Sequence, residues 1–245
     1  MGKLKLGILG NGYLADIIVE AGLKGMLDEY ELVGVLGRTR EKTELLALAP
    51  DYVAEAASVQ SVKDCGVKIL ASGASMIVLS IGAFADKEFY GQVKETAAVH
   101  GTRVYIASGA VGGFDVLRTI SLMGQAEAGI RTKKGPASLK GTPLFEERLM
   151  EDTQESHVFH GNAKEAISLL PTKVNVAVAS SLATVGPEDT RVDIYSVPGM
   201  VGDDHKITSE IEGVKAVVDI YSSTSAIAGW SVVAVLQNIV SPIVF

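Results

Sequence analysis

Short apolar runs alternate with segments of helical periodicity over residues 1–107 of the 245-residue chain. An apolar run that ends at a glycine or a loop is typical of a strand buried on both faces, and apolar residues spaced three and four apart indicate an amphipathic helix. The pattern predicts strands at 4–9, 31–36, 76–81 and 103–107, helices at 13–27, 41–48 and 87–100, and weaker elements at 53–60 and 66–72. Strands that alternate with helices of this length predict an α/β fold around a parallel sheet.

A different pattern follows Ser108, where Gly109, Gly112 and Gly113 predict a flexible turn. Partial alternation of apolar and polar residues indicates strands here, and helical spacing returns between them. The predicted strands are 130–132, 158–160, 191–196, 204–211 and 214–221, and the predicted helices are 115–127, 163–169, 174–184 and 225–239. This part of the chain therefore predicts a second, α+β domain.

The turn after the first predicted strand fits the pattern G-x-G-x-x-A, with Gly10, Gly12 and Ala15 at its fixed positions. The first glycine permits the tight turn, the second lets a diphosphate approach the backbone, and the alanine lets helix and strand pack closely. The helix N-terminus offers N–H groups and partial positive charge to the phosphates. The pattern predicts a Rossmann-type dinucleotide site, the alternative being an ordinary strand–turn–helix. The expected cofactor contacts are Gly10, Asn11, Gly12, Tyr13 and Leu14.

The loop after the second predicted strand, Gly37-Arg38-Thr39-Arg40, carries no carboxylate at the strand tip. Sites specific for NAD usually place an acidic residue there, against the ribose 2′-hydroxyl. A guanidinium can instead pair with the 2′-phosphate of NADP. We therefore expect NADP to be accepted, with Arg38 and Thr39 as phosphate contacts. The alternative is that Arg38 lies over the adenine and that both NAD and NADP are used.

Composition and charge exclude several other classes of protein. The net charge is −7 and the 22 Lys and Arg residues form no long cationic run, which disfavours nucleic-acid binding and polybasic membrane attachment. Cys65 is the one cysteine, so neither an intrachain disulfide nor a thiolate metal cluster is expected, and a reducing cytoplasm fits. Residues 226–245 are apolar but contain polar interruptions, which favours a buried helix over a membrane span.

Histidine is the natural proton carrier near neutral pH, and the chain has four. His100 lies at the end of a predicted helix, where a structural role is expected. His157 and His160 form an H-x-x-H pattern in an extended segment, where a spacing of three predicts opposite faces and no metal site. His205 follows a polar turn before a strand, and from the residues alone it is a surface histidine.

Several segments of the chain resemble the L-aspartate dehydrogenase family. They are 79–86 (LSIGAFAD, with Gly82), 108–115 (SGAVGGFD), 159–166 (FHGNAKEA), 171–177 (PTKVNVA), the region around His205, and Thr224-Ser225. The resemblance implies oxidation of aspartate to oxaloacetate and ammonia through an imine, with NADP or NAD as cofactor. It also implies a homodimer. It places Ala110 and Asn175 at the cofactor and assigns His205 as the catalytic acid or base.

The resemblance implies a dinucleotide-binding domain formed by 1–107 with 226–245, and a substrate and dimerisation domain formed by 108–225. A dicarboxylate substrate needs cationic or N–H donors, for which Lys133 and Lys173 are the expected side chains. Two alternatives stay open. One is a dehydrogenase or reductase of another small amino acid, imine or hydroxy compound, and the other is a dinucleotide-binding sensor without turnover.

Overall fold

The computed structural model describes residues 2–37 and 42–245, without the side chains of Lys42 and Thr43. The chain divides into two compact units. The first unit contains the residues up to Gly109 together with Ala226–Phe245, and the second unit contains Ala110–Ser225.

The first unit is built around a five-stranded parallel sheet. Its elements up to Gly109 are β1 (Leu4–Leu9), α1 (Tyr13–Leu23), β2 (Tyr30–Leu36), β3 (Tyr52–Glu55), α2 (Val59–Ala71), β4 (Ser75–Val78), α3 (Lys87–His100) and β5 (Val104–Ile106). The strand order is β2-β1-β3-β4-β5. The predicted parallel α/β fold is confirmed. In such sheets ligands bind beyond the carboxyl ends of the strands, at the point where the strand order reverses, which here is beside β1.

Several predicted elements of the first unit differ from the observed ones. The helix predicted at 13–27 ends at Leu23, and the weak elements predicted at 53–60 and 66–72 correspond to β3 and α2. The helix predicted at 41–48 is a 3₁₀ helix over Lys42–Leu48. The strand predicted at 76–81 ends at Val78, and a short 3₁₀ segment follows over Ile81–Ala85. The strand ends early because the backbone N–H groups of Leu79 and Ser80 donate to the Glu55 carboxylate.

The second unit contains a mixed five-stranded sheet. Its elements are α4 (Phe114–Met123), β6 (Glu127–Lys134), β7 (Ser156–Asn162), α5 (Ala163–Leu169), α6 (Asn175–Leu182), β8 (Arg191–Ser196), β9 (Asp203–Ile211) and β10 (Val214–Ser222). The strand order is β10-β9-β6-β8-β7, in which β6 and β8 are parallel and the other neighbours antiparallel. The helix predicted at 115–127 stops at Met123, because Gly124 takes an extended conformation, and a Cβ on Gly124 would lie 2.8 Å from Cδ1 of Ile211.

The helix α7 (Ala226–Val240) belongs to the core of the first unit. Gly229 lets it approach α1 closely, since a Cβ there would lie 2.9 Å from Cδ1 of Ile17. Its Val232 and Leu236 side chains are buried with the sheet residues. The Tyr30 hydroxyl donates to the Leu236 carbonyl over 2.8 Å. Among the helices that the structure describes, none has the length and apolar character needed to cross a bilayer.

Candidate functional site

The turn between β1 and α1 requires glycine at position 10. Gly10 has φ +127°, a conformation that side chains disfavour. A Cβ there would lie 2.4 Å from the Ala56 carbonyl oxygen. The Gly10 N–H donates to the Leu36 carbonyl over 2.8 Å, which ties the turn to the end of β2. The first glycine of the pattern therefore has a structural role whether or not a ligand is bound.

Gly12 is different, because the space around its Cα is open. It precedes α1 in an extended conformation, and a Cβ at this position would meet no protein atom within 4 Å. The first N–H groups of a helix have no acceptor within the helix and point out of its end. Ala15 is fully buried against the sheet, as close helix–strand packing requires. Open space beside a helix N-terminus fits the diphosphate of a dinucleotide.

Glu55, at the end of β3, holds together the loops at this edge of the sheet. Its buried carboxylate accepts hydrogen bonds from the Ala57 N–H (2.8 Å), the Ser80 hydroxyl (2.8 Å), the Ser80 N–H (2.9 Å) and the Leu79 N–H (3.2 Å). Burial raises the pKa of Glu55, and the four donated bonds oppose that rise by stabilising the ionised form. The sequence analysis did not select Glu55, although an acidic residue at the end of the apolar segment of β3 could have indicated it.

Glu55→Gln is expected to lower the free energy of unfolding by about 1–3 kcal/mol. The amide group of glutamine would place N–H donors against N–H donors of the two loops. Urea denaturation measures the change, and Glu95→Gln on the exposed side of α3 is the matched control. Equal denaturation midpoints for the wild-type protein and Glu55→Gln would contradict this account.

The end of β2 carries no acidic residue, in agreement with the sequence. Gly37 stands there, and a Cβ on it would lie 2.5 Å from Nδ2 of Asn11. The Asn11 side chain thus occupies the space into which a side chain at position 37 would project. Arg38 and Thr39, the predicted phosphate contacts, lie outside the described residues.

A buried polar cluster lies on one face of the sheet in the second unit. His205 on β9 is directly opposite Thr132 on β6, and Asp203 is directly opposite Lys134. Nδ1 of His205 lies 2.9 Å from the Thr132 hydroxyl, and Nε2 lies 3.9 Å from Oδ2 of Asp203. The Lys134 ammonium group donates to that same Oδ2 over 2.6 Å. Thr132 therefore fixes one edge of the imidazole, and the other edge faces an ion pair.

The environment of His205 disfavours its charged form. The residue is only 2 % exposed, and burial together with the positive charge of Lys134 lowers its pKa to about 4, although the negative charge of Asp203 acts in the opposite direction. The imidazole is therefore neutral at neutral pH and can accept a proton. The prediction that His205 is an exposed residue, which followed from the residues alone, is wrong because β9 pairs with β6 and His205 lies opposite Thr132 on a buried face of the sheet.

The two lysines predicted to bind substrate lie in different places. Lys133 alternates with Thr132 and Lys134 along β6, so its side chain leaves the opposite face, where its ammonium group pairs with Glu155 over 2.6 Å. Lys173 is exposed just before α6. Lys134, which the sequence analysis did not select, is the lysine on the same face as His205.

The remaining predicted cofactor residues lie in loops and at a helix start. Gly82 is buried in the 3₁₀ segment after β4, in the first unit. In the second unit, Ala110 is half-buried in a turn and Asn175 is the half-buried first residue of α6.

His157 and His160 do not have the predicted arrangement. They lie on the same face of the sheet with Asp193, and the prediction of opposite faces is wrong. A β-bulge in β7 explains the difference: the register of β7 against β8 shifts between His157 and Phe159. One extra residue in a strand reverses the facing of every side chain beyond it.

Comparisons with known proteins decide the family. A family model described as "Aspartate dehydrogenase, C-terminal" matches residues 115–239, and one described as "Homoserine dehydrogenase, NAD binding domain" matches residues 31–107. L-Aspartate dehydrogenase of Methanococcus maripaludis is 31% identical over 98% of both chains. The same enzyme of Methanosarcina acetivorans is 32% identical over 98% of both chains. The chain belongs to the L-aspartate dehydrogenase family.

Solved structures agree with membership of the L-aspartate dehydrogenase family. The crystal structure of aspartate dehydrogenase from Thermotoga maritima superposes with a TM-score of 0.79 at 26% identity, covering 99% of each chain. A hyperthermophilic archaeal homoserine dehydrogenase in complex with NADPH has a TM-score of 0.59 at 9% identity, covering 94% of this chain and 95% of that one. The second similarity shows a shared fold alone.

Proposed function

We propose that the protein catalyses the oxidation of L-aspartate, with NADP or NAD as the electron acceptor, to oxaloacetate and ammonia. The observation that carries the proposal is a buried neutral imidazole beside a buried ammonium group, on one sheet face of a member of the L-aspartate dehydrogenase family. The first unit is the proposed dinucleotide-binding domain, and the second unit is the proposed substrate and dimerisation domain.

A bound nicotinamide would supply the hydride acceptor for oxidation of the amino acid at C2 to an imine. The part proposed for the first unit is to hold the diphosphate at the Gly10–Gly12 turn and at the N-terminus of α1, with contacts from Asn11, Tyr13, Leu14 and Gly82. Ala110 and Asn175 of the second unit are further proposed cofactor contacts. Arg38 and Thr39 remain the proposed contacts for a 2′-phosphate.

His205 is the proposed acid–base residue. As a neutral base, its imidazole accepts a proton from the water that attacks C2 of the imine, and it returns a proton to the amino group that departs as ammonia. Thr132 holds the ring by its Nδ1 edge. A bound dicarboxylate brings negative charge beside the ring and raises the pKa of His205 from about 4 towards the range in which an imidazole exchanges protons efficiently.

Lys134 is the proposed side chain for a substrate carboxylate on the His205 face. Its ammonium group pairs with Asp203, a partly exposed carboxylate that a substrate carboxylate can replace as the acceptor. Lys173 is the proposed second cationic contact, since its exposed side chain leaves the ammonium group accessible. Lys133 is the weaker candidate because its ammonium group already pairs with Glu155.

The activity is tested with purified protein, NADPH, oxaloacetate and ammonia, by following the loss of NADPH absorbance. We expect turnover that requires both oxaloacetate and ammonia. Turnover with other oxoacids but not with oxaloacetate would show that the substrate is an amino acid other than aspartate. Tight cofactor binding without turnover of any compound in a substrate panel would indicate a dinucleotide-binding sensor.

Preference for NADP follows from the missing acid at the end of β2. Titration of the protein with each dinucleotide is expected to give a Kd for NADP no higher than that for NAD. Binding of NAD that is about tenfold tighter would refute the preference and would leave NAD as the working cofactor.

Gly12→Ala is expected to weaken dinucleotide binding by about tenfold or more without changing Tm. The added methyl group meets no protein atom within 4 Å, but it occupies the space through which a diphosphate approaches the backbone. Gly22→Ala is the matched control, because it adds the same methyl group to open space at the other end of α1. Unchanged cofactor affinity in Gly12→Ala would remove this turn from the binding site.

A homodimer and a cytoplasmic location complete the proposal. The edge strand β10 exposes apolar side chains, including Val217 (48 % exposed) and Tyr221 (60 % exposed), as a strand covered by a second subunit would. The single cysteine, buried and without a disulfide, fits a reducing compartment. Light scattering after size-exclusion chromatography tests the dimer, and a mass of one chain would refute it.

A further inference from the structure

His157 and His160 on β7 converge with Asp193 on β8. Nε2 of His157 lies 3.0 Å from Oδ1 of Asp193, and Nδ1 of His160 lies 2.8 Å from the same oxygen. The three atoms all lie within 4.8 Å of one another. The two imidazoles and the carboxylate therefore direct one potential ligand atom each towards a single point on the surface of the second unit.

The bulge in β7 creates this convergence. His157 is opposite Tyr195 and His160 is opposite Asp193, although the histidines are three positions apart and their partners only two. Residues two apart on β8 share a face, so both histidines also lie on that face. The His157 ring stacks on Tyr195 with a centroid distance of 4.5 Å and an interplanar angle of 11°, which fixes its orientation.

We propose that His157, His160 and Asp193 form a surface binding site for a divalent transition-metal ion such as Zn²⁺. Two imidazole nitrogens and one carboxylate oxygen are a donor set that suits zinc, nickel or copper, whereas magnesium and calcium prefer oxygen ligands alone. Metal binding uses an unprotonated nitrogen of each imidazole and the ionised carboxylate. Three protein ligands leave at least one coordination position for water.

Two features of the surroundings bear on metal binding, one on its affinity and one on its effect on the sheet. Nε of Arg191 lies 3.5 Å from Oδ2 of Asp193, so a positive charge is present on the far side of the carboxylate. That charge opposes a second cation but holds the carboxylate in place, with Oδ1 directed at the histidines. The site also joins the edge strand β7 to β8, so the bound ion is expected to stabilise this edge of the sheet by linkage.

The test is calorimetric titration of ZnCl₂ into the whole protein after removal of metal with EDTA. We expect one Zn²⁺ per chain with a Kd in the micromolar range, and a rise in Tm on saturation. His160→Asn and Asp193→Asn are each expected to weaken binding by more than about tenfold. The matched control is His100→Asn, which removes an exposed histidine at the end of α3 and is expected to bind Zn²⁺ as the wild-type protein does.

Cobalt provides an independent readout, because Co²⁺ bound by histidine and carboxylate ligands absorbs visible light. The wild-type protein is expected to develop this absorption and His160→Asn is not. Absence of Zn²⁺ binding, or equal binding by the wild-type protein and both ligand variants, would overturn the proposal. Zn²⁺ binding that is weakened in His100→Asn as much as in the ligand variants would also overturn it. Tm values of the three metal-free variants close to that of the wild-type protein show that the variants fold. The outcome for dehydrogenase turnover does not depend on Zn²⁺ binding at this site.

Discussion

Alanine in place of His205 is expected to lower kcat by about 10²–10⁴-fold, the range of a lost general acid–base residue. Water attack on C2 of the imine requires removal of a proton from the water, and departure of ammonia requires a proton on the amino nitrogen. In our proposal His205 carries out both transfers. The dinucleotide contacts proposed for the first unit are unaffected by this change. Steady-state kinetics therefore gives a lower kcat, while a fluorescence titration gives an unchanged Kd for NADPH.

His100→Ala is the matched control for His205→Ala, since it removes an imidazole from the end of α3 without touching the cluster. It is expected to retain wild-type kcat. Thr132→Val separates positioning from proton transfer, because it removes the hydroxyl 2.9 Å from Nδ1 and leaves the imidazole present. That variant is expected to lie between the wild-type protein and His205→Ala. Near-wild-type turnover in His205→Ala would exclude His205 from the mechanism.

Acidification is expected to destabilise the protein through His205. The pKa of this group is about 4 in the folded chain and 6.5 when unfolded, so the unfolded chain binds the proton more tightly. The stabilising contribution of His205 is therefore fully present above pH 6.5 and is lost as the pH falls towards 4. The difference corresponds to about 3 kcal/mol in total, with about 2 kcal/mol of it lost by pH 5.

The measurement is urea denaturation at several pH values for the wild-type protein and for His205→Asn. Between pH 7 and pH 5 the wild-type protein is expected to lose about 2 kcal/mol more stability than the variant. Any loss of the Thr132 contact in His205→Asn shifts the whole curve and leaves its slope unchanged. Parallel curves would show that the imidazole titrates with an ordinary pKa in the folded protein.

Local sequence patterns were sufficient for most of the fold. The predicted helices 87–100 and 163–169 and the predicted strand 191–196 agree with the observed elements at both ends. These elements have clear termination signals, such as the Asp86 side chain at the start of α3 and Gly101 at its end. The strand predicted at 76–81 was too long because its end depends on Glu55, which is distant in the sequence.

The candidate site was only partly predictable for a related reason. The Gly10–Gly12 turn is a local pattern and could be read directly, and its geometry now fits the expected diphosphate. The cluster around His205 depends on the register between β6 and β9, which pairs Lys134 with Asp203 across 69 residues of sequence. The predicted strand 130–132 was too short to include Lys133 or Lys134, so the sequence did not show which of the two shares a face with His205.

The packing of α7 against α1 has a consequence for biosynthesis. Residues 110–225 are continuous, so every strand of the second unit leaves the exit tunnel before residues 226–245 do. The first unit lacks the helix that buries Val232 and Leu236 against its sheet until those residues have left the exit tunnel. Domains generally fold as units in the order of synthesis. Here we expect the first unit to complete its folding after the second, because its last helix follows the whole second unit in the sequence.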